Sequence, residues 1–175
     1  SFLKLGEYCF CRSLNTTKAS FYFREKMKIT LPTGPGSYVL VLRLLDPISL
    51  TIGKLGEFQF DAGWYHYSGS AMGGLRGRIS SHLKRGQRLH WHIDYLSSSI
   101  TDPAIEEIWW VEGSTRRECD WAKALGSLRR TRHLVDGFGS SDCRCRSHLV
   151  YSPSALQSPI IPPHTNQKLV QVYSR

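Results

Sequence analysis

The sequence predicts an α+β fold: a small mixed, mainly antiparallel β-sheet with flanking helices. Three observations predict it. Between residues 37 and 67, β-favouring runs are separated by turns of hairpin length, which brings successive strands together antiparallel. Two later stretches, about 74–84 and 116–130, carry apolar residues at three- and four-residue spacing, the mark of a helix with one buried face. The chain has 175 residues, 41% of them hydrophobic, which is enough for a real core and excludes a disordered chain.

The elements follow in order. Residues 1–33 show no clean period and read as an N-terminal extension that ends in the breaker LPTGPG, Leu31 to Gly36. SYVLVLRLL (37–45) is an almost continuous apolar run, the pattern of a central strand buried on both faces. ISLTI (48–52), EFQF (57–60) and the strand opening at Trp64 follow through short turns, giving a meander of three or four strands. Gly63–Leu83 then runs strand, glycine turn, helix. Arg78 and His82 stand four apart and share one helix face, beside a stripe of Leu75, Ile79 and Leu83. Such a strand, turn and helix is expected to hold a phosphate. Residues 84–88 form a basic loop, 90–100 a short helix and 104–113 a strand. In helix 116–130, Glu118, Trp121 and Leu125 share a face, and Arg129, Arg130 and Arg132 close its end with positive charge. A Gly/Ser loop from 137 leads into strand 148–151. Residues 152–175 are a Pro/Ser-rich tail, with 168–173 as a last strand.

Lys and Arg number 23 against 14 Asp and Glu, a net charge of +9. That balance favours a polyanionic partner, nucleic acid before an acidic membrane surface. Arg76, Arg78, Lys84, Arg85 and Arg88, with Arg129, Arg130 and Arg132, are the expected phosphate-tracking set; the bland alternative is scattered solvated charge. Five Trp, eight Tyr and seven Phe supply stacking surfaces or core. No base-reading motif is visible, so shape rather than sequence is the expected basis of selection.

No apolar run approaches the ~20 residues of a membrane helix, and residues 1–12 have no continuous apolar core. Five Cys, an odd number with C-x-C spacings, do not suggest a secreted disulfide scaffold. The expectation is an intracellular, reduced protein, cytoplasmic or nucleoid-associated, with no membrane partner and no small-molecule cofactor. Cys143, Cys145 and His148 place three soft ligands within six residues, a candidate Zn²⁺ site. Cys119, or a histidine of His90-Trp91-His92, is the candidate fourth ligand. Free cysteines as small buried hydrophobes are the structural alternative, and Ser140, Ser141 and Asp142 as cleft residues are a further one. Cys9 and Cys11 remain unassigned.

Gly36-Ser37-Tyr38 on one strand, Tyr67-Ser68-Gly69 on another, and Arg78 with His82 on the next helix resemble the GIY-YIG nuclease superfamily. The strings GGLRGRISSHL, HWHIDYL and SDCRCRSHL make residues 34–151 similar to its Uri-superfamily endonuclease branch. The resemblance implies metal-dependent hydrolysis of nucleic-acid phosphodiesters, DNA before RNA. Tyr38 and Tyr67 match the motif tyrosines, which position or deprotonate the attacking water. Arg78 matches the arginine that braces phosphate charge, and His82 a further polar site residue. Glu118 is the candidate for the family's metal-binding glutamate, suited to Mg²⁺ or Mn²⁺; Glu106, Glu107 and Asp94 are the alternatives. An acidic residue in a first helical turn also serves the helix dipole without any metal. The chain departs from the family pattern in two places. Its two tyrosines are 29 positions apart, so an extra hairpin (48–60) must lie between them, and Glu118 precedes Ala124-Leu125 instead of following it. The rival reading is a non-catalytic nucleic-acid-binding module of the same fold with structural zinc.

Overall fold

β1, Gly36–Leu44, is buried at every position except Arg43, as its unbroken apolar text requires. The computed structural model describes residues 31–84, 89–99, 105–156 and 171–174. The expectation of an N-terminal extension over 1–33 therefore lies outside the described residues up to residue 30. β1 is the middle strand of a five-stranded sheet. Around it stand β2 (Ile48–Thr51), β3 (Glu57–Phe60), β4 (Gly63–Ala71), β5 (Ile105–Glu112), β6 (Leu149–Ser152) and β7 (Gln171–Ser174). The sheet order is β6-β4-β1-β5-β7, and every described pairing is antiparallel.

The meander is corrected. Among the described residues β2 and β3 pair only with each other, as a separate ribbon, and β1 pairs directly with β4 along its whole length. The ribbon is thus an insertion between two strands that would otherwise be neighbours, which is where the spacing of the two tyrosines required an extra hairpin. Direct pairing sets Tyr38 opposite Gly69 and Gly36 opposite Ala71.

Strand alternation then divides the sheet into two faces. Val39, Val41, Trp109, Val111 and Val150 face α3 (Glu118–Gly126), which packs Trp121 and Leu125 onto them. Gly36 and Tyr38 face the other way, toward α1 (Leu75–Leu83). A Cβ at Gly36 would stand 2.5 Å from Leu75 Cδ1 and 2.3 Å from the Val111 carbonyl oxygen, so the motif glycine is what lets α1 dock. α2 (His92–Ser99) inserts Ile93 and Leu96 into the core.

Two helix expectations change in detail. The buried face of α1 is Leu75, Ile79 and His82; Leu83 is only half-buried, because His82 points inward to a hydrogen-bonding partner. The 116–130 helix stops at Gly126. Glycine weakens the last turn, and the Thr131 hydroxyl donates to the Leu125 carbonyl at 2.9 Å and the Leu128 carbonyl at 2.8 Å. Arg129 and Arg130 therefore lie beyond the helix, with Arg130 in the left-handed region at φ 68. Among the described residues no helix is long and apolar enough to cross a membrane.

Candidate functional site

The segment Leu31–Pro35 shapes the site first. The Gly34 carbonyl accepts from Leu75 N–H and the Pro32 carbonyl from Arg76 N–H, each at 2.9 Å. These donors of the helix N-terminus are thereby satisfied by backbone. Of the two α1 side chains expected to hold a phosphate, Arg78 lines the site's cavity and His82 does not.

A cavity of about 430 Å³ opens at the end of the sheet. Tyr38 from β1, Tyr67 from β4, Arg78 from α1 and Glu118 from α3 all line it. The Arg78 guanidinium lies 4.4 Å from the centroid of the Trp91 ring, a cation–π contact that aims the charge into the cavity. Burial pushes the Tyr38 hydroxyl well above its ordinary value, and the neighbouring Tyr67 adds to it; Arg78 offsets part of this. Burial raises Tyr67 likewise, again against Arg78. Both groups are therefore protonated phenols at neutral pH.

His82 does not line the cavity; it stands behind Tyr38. The Tyr38 hydroxyl donates to His82 Nε2 at 2.9 Å, and His82 Nδ1 lies 3.0 Å from Asp94 Oδ1. Asp94 Oδ2 accepts the N–H groups of His90 at 3.0 Å and Trp91 at 2.9 Å. Burial pushes the Asp94 carboxyl up. The hydrogen bonds from His82 and from the Trp91 and His90 amides outweigh it and leave the group below the usual carboxylate value. An ionised Asp94 fixes the proton on His82 Nδ1 and leaves Nε2 as acceptor for the phenol. With both oxygens engaged, Asp94 is a brace and not the metal ligand offered as an alternative. Glu106 and Glu107 also lie off the cavity, and Glu107 Oε2 accepts from Trp109 Nε1 at 2.7 Å.

Glu118 is held by a relay of small side chains from the opposite sheet face. Arg117 N–H donates to Ser37 Oγ at 3.0 Å, Ser37 Oγ and Ser70 Oγ are 2.8 Å apart, and Ser70 Oγ donates to Glu118 Oε2. Arg116 stands 3.9 Å from Glu118 Oε1 and 3.6 Å from Asp142 Oδ2. Glu118 is half-buried and, with Asp142, is one of two carboxylates lining this polar cavity, a donor set that fits a hard divalent cation, which takes one or two protein carboxylates and fills its other positions with water and substrate oxygens.

Cys119, Cys143, Cys145 and His148 form a second centre on this rim, with ligand atoms all within 4.8 Å of one another. The fourth member is thus Cys119; His90 and His92 line the cavity but stand outside the cluster. The three thiols are free, and the group could hold a metal ion. The loop that carries Cys143, Cys145 and His148 also lends Ser141 and Asp142 to the cavity, while Ser140 is buried.

Of the basic set, Arg76 and Lys84 are exposed near α1 but outside the cavity lining, and Arg129 and Arg130 are exposed past the far end of α3. Arg85 and Arg88 fall outside the described residues. Ser37, Ser70, Trp91 and Arg116 were not singled out in the sequence as site residues. The alternation that puts Tyr38 on one face puts Ser37 on the other, where the pairing of β1 with β4 sets it opposite Ser70.

Fold and site together define a small α+β domain with a polar cleft at the end of its sheet and a Cys₃His cluster on the rim. The chain belongs to the family described as domain of unknown function DUF123, whose model matches residues 37–166. No curated protein and no solved structure matches it.

Proposed function

We propose that the protein is a divalent-metal-dependent endonuclease of the GIY-YIG type, in the Uri-superfamily branch. It hydrolyses nucleic-acid phosphodiesters, DNA before RNA, selected by structure. The observation that carries this reading is the convergence of Tyr38, Tyr67, Arg78 and Glu118, from four different elements, on one cavity.

Arg78 binds the scissile phosphate, because a guanidinium stays ionised and can engage two oxygens as charge builds on them. Tyr38 orients the attacking water. As water attacks phosphorus, its proton passes to the Tyr38 oxygen while the Tyr38 proton passes to His82 Nε2, and the resulting imidazolium is stabilised by Asp94. The P–O bond to the leaving oxygen breaks, and that oxygen is protonated from solvent. This route never needs a free tyrosinate, which the raised phenols would resist. Tyr67 borders the phosphate position, its ring edge-on to Phe138. Glu118 would hold Mg²⁺ or Mn²⁺, which when bound supplies charge stabilisation at the phosphate oxygens. Zinc suits the Cys₃His cluster, whose soft donors an intracellular, reducing compartment keeps available.

The test is cleavage of branched, nicked and single-stranded DNA and of RNA with Mg²⁺ or Mn²⁺, comparing wild type with Arg78→Ala and Glu118→Ala. Each variant should lose about 10²–10³-fold in rate. Equal activity in all three would sink the proposal. Wild type that binds nucleic acid without cutting it would install the binding-module reading instead.

A further inference from the structure

Cys119 follows Glu118 directly in the first turn of α3. Cys143, Cys145 and His148 sit on the segment between α3 and β6, and its Gly139, Ser141 and Asp142 line the cavity that Glu118 faces. The cluster therefore joins two walls of one cleft. His148 Nε2 lies 3.7 Å from Cys119 Sγ and 3.4 Å from Cys143 Sγ. A tetrahedral zinc with Zn–S near ~2.3 Å and Zn–N near ~2.0 Å sets sulfur and nitrogen about 3.5 Å apart. The two distances bracket that value. Three thiols and an imidazole fill all four positions from protein, the closed arrangement of a structural centre; a catalytic zinc keeps one position for water.

The segment's other hydrogen bonds lead elsewhere. Gly137 N–H donates to the Arg146 carbonyl, His148 N–H to the Phe138 carbonyl, and Gly139 N–H to His92 Nδ1 on α2. Its contacts with the start of α3 are His148 with Cys119 and, through the exposed Arg116 guanidinium, Asp142 with Glu118.

We propose that Cys119, Cys143, Cys145 and His148 bind one structural Zn²⁺ that clamps the 137–148 segment to the start of α3 and so sets where Glu118 stands. The importance attached to Glu118 rests on the nuclease reading; the zinc site and the clamp do not. Glu118 and Cys119 are joined by a single peptide bond, so the residue that would hold zinc anchors the helix beside the one that faces the cavity.

The experiment uses the full chain. Elemental analysis should find about one zinc per chain, and replacement by Co²⁺ should give the visible bands of a tetrahedral thiolate site. The Cys143→Ser/Cys145→Ser protein should hold neither ion. Zinc removal from wild type should then speed amide hydrogen exchange about tenfold or more over 119–122 and 139–148, while β1 and β4 are unchanged. Wild type that takes up neither zinc nor cobalt overturns the site. Uptake without a local change in exchange overturns the clamp. Neither readout needs cleavage, so an inactive protein that passes both supports this proposal and counts only against the nuclease.

Discussion

Asp94 commits both carboxylate oxygens to fixed donors, one to His82 and the other to the amides of His90 and Trp91. Asp94→Asn removes the charge that would support an imidazolium at His82, and the amide can turn its NH₂ toward Nδ1 and so reverse the tautomer. Cleavage should fall about 10²–10⁴-fold, the range for loss of proton-transfer catalysis. The limiting slope of the pH–rate profile should change, and His82 ring ¹⁵N shifts should report proton transfer from Nδ1 to Nε2. A merely structural Asp94 would lower stability and leave the profile where it was. Stability has its own pH signature. Asp94 is depressed in the folded state, so its contribution is present above about pH 4 and is lost only below that. His66 acts in a higher window. Burial lowers it from 6.5 to about 4, so between these values the unfolded chain binds the extra proton and stability falls as pH falls. Going from pH 7 to 5 should cost about 2 kcal/mol in denaturant titrations, and His66→Leu should remove most of that slope. Tyr38, Tyr67 and Arg78 were legible in the sequence as candidates because motif order and helix spacing mark them, whereas Glu118 departs from the motif pattern and was one of four candidate carboxylates. The serine relay was not legible, because a hydroxyl carries no periodicity of its own. Asp94 was legible only as a carboxylate, since an acid that braces and an acid that chelates look alike until its partners are seen.

The pairing of β1 with β4 makes the two motifs one object. Tyr38 lies across Gly69, and a Cβ there would come within 2.6 Å of its ring carbon and hydroxyl oxygen. Tyr38 is fully buried and tied to His82, so it cannot give way cheaply. Gly69→Ala should therefore destabilise by about 1–3 kcal/mol, the usual cost of overpacking, and should lose cleavage beyond what stability explains because the phenol is displaced. Thermal unfolding and kcat at a temperature where both proteins are folded separate the two effects; unchanged values would mean the ring relaxes freely. The strands and helices themselves were largely readable from periodicity and turn residues. The partnership of the strands was not. Local hairpin signals correctly placed the turns around β2 and β3, but whether a hairpin joins the main sheet or stands apart depends on what β1 and β4 gain by meeting, a contact between residues far apart in sequence. The end of α3 was missed for a similar reason: the apolar period continues to Leu128, while the Thr131 hydroxyl that caps the Leu125 carbonyl comes after it.

Taken as a whole the chain carries +9, and the question is whether that charge is spread or focused. Each phosphate neutralised on duplex DNA contributes about −0.9 to the slope of log K against log salt. Arg76 and Lys84 lie at the two ends of α1, the helix that presents Arg78 to the cavity. Arg129 and Arg130 follow α3, whose nine residues span roughly 13 Å from Glu118 to its other end. The two pairs carry the same charge at different distances from the cleft, which makes them a controlled comparison. If phosphates track around the cavity, Arg76→Ala/Lys84→Ala should flatten the slope by about 2, and Arg129→Ala/Arg130→Ala by much less. Affinity at low salt should drop in the same order, with no preference among base sequences, since these side chains meet the backbone and not base edges. Equal slopes for the two double variants would mean that the protein attracts nucleic acid by net charge alone. The basic helix α1 would then lose its place beside Arg78 as the track that feeds the cleft.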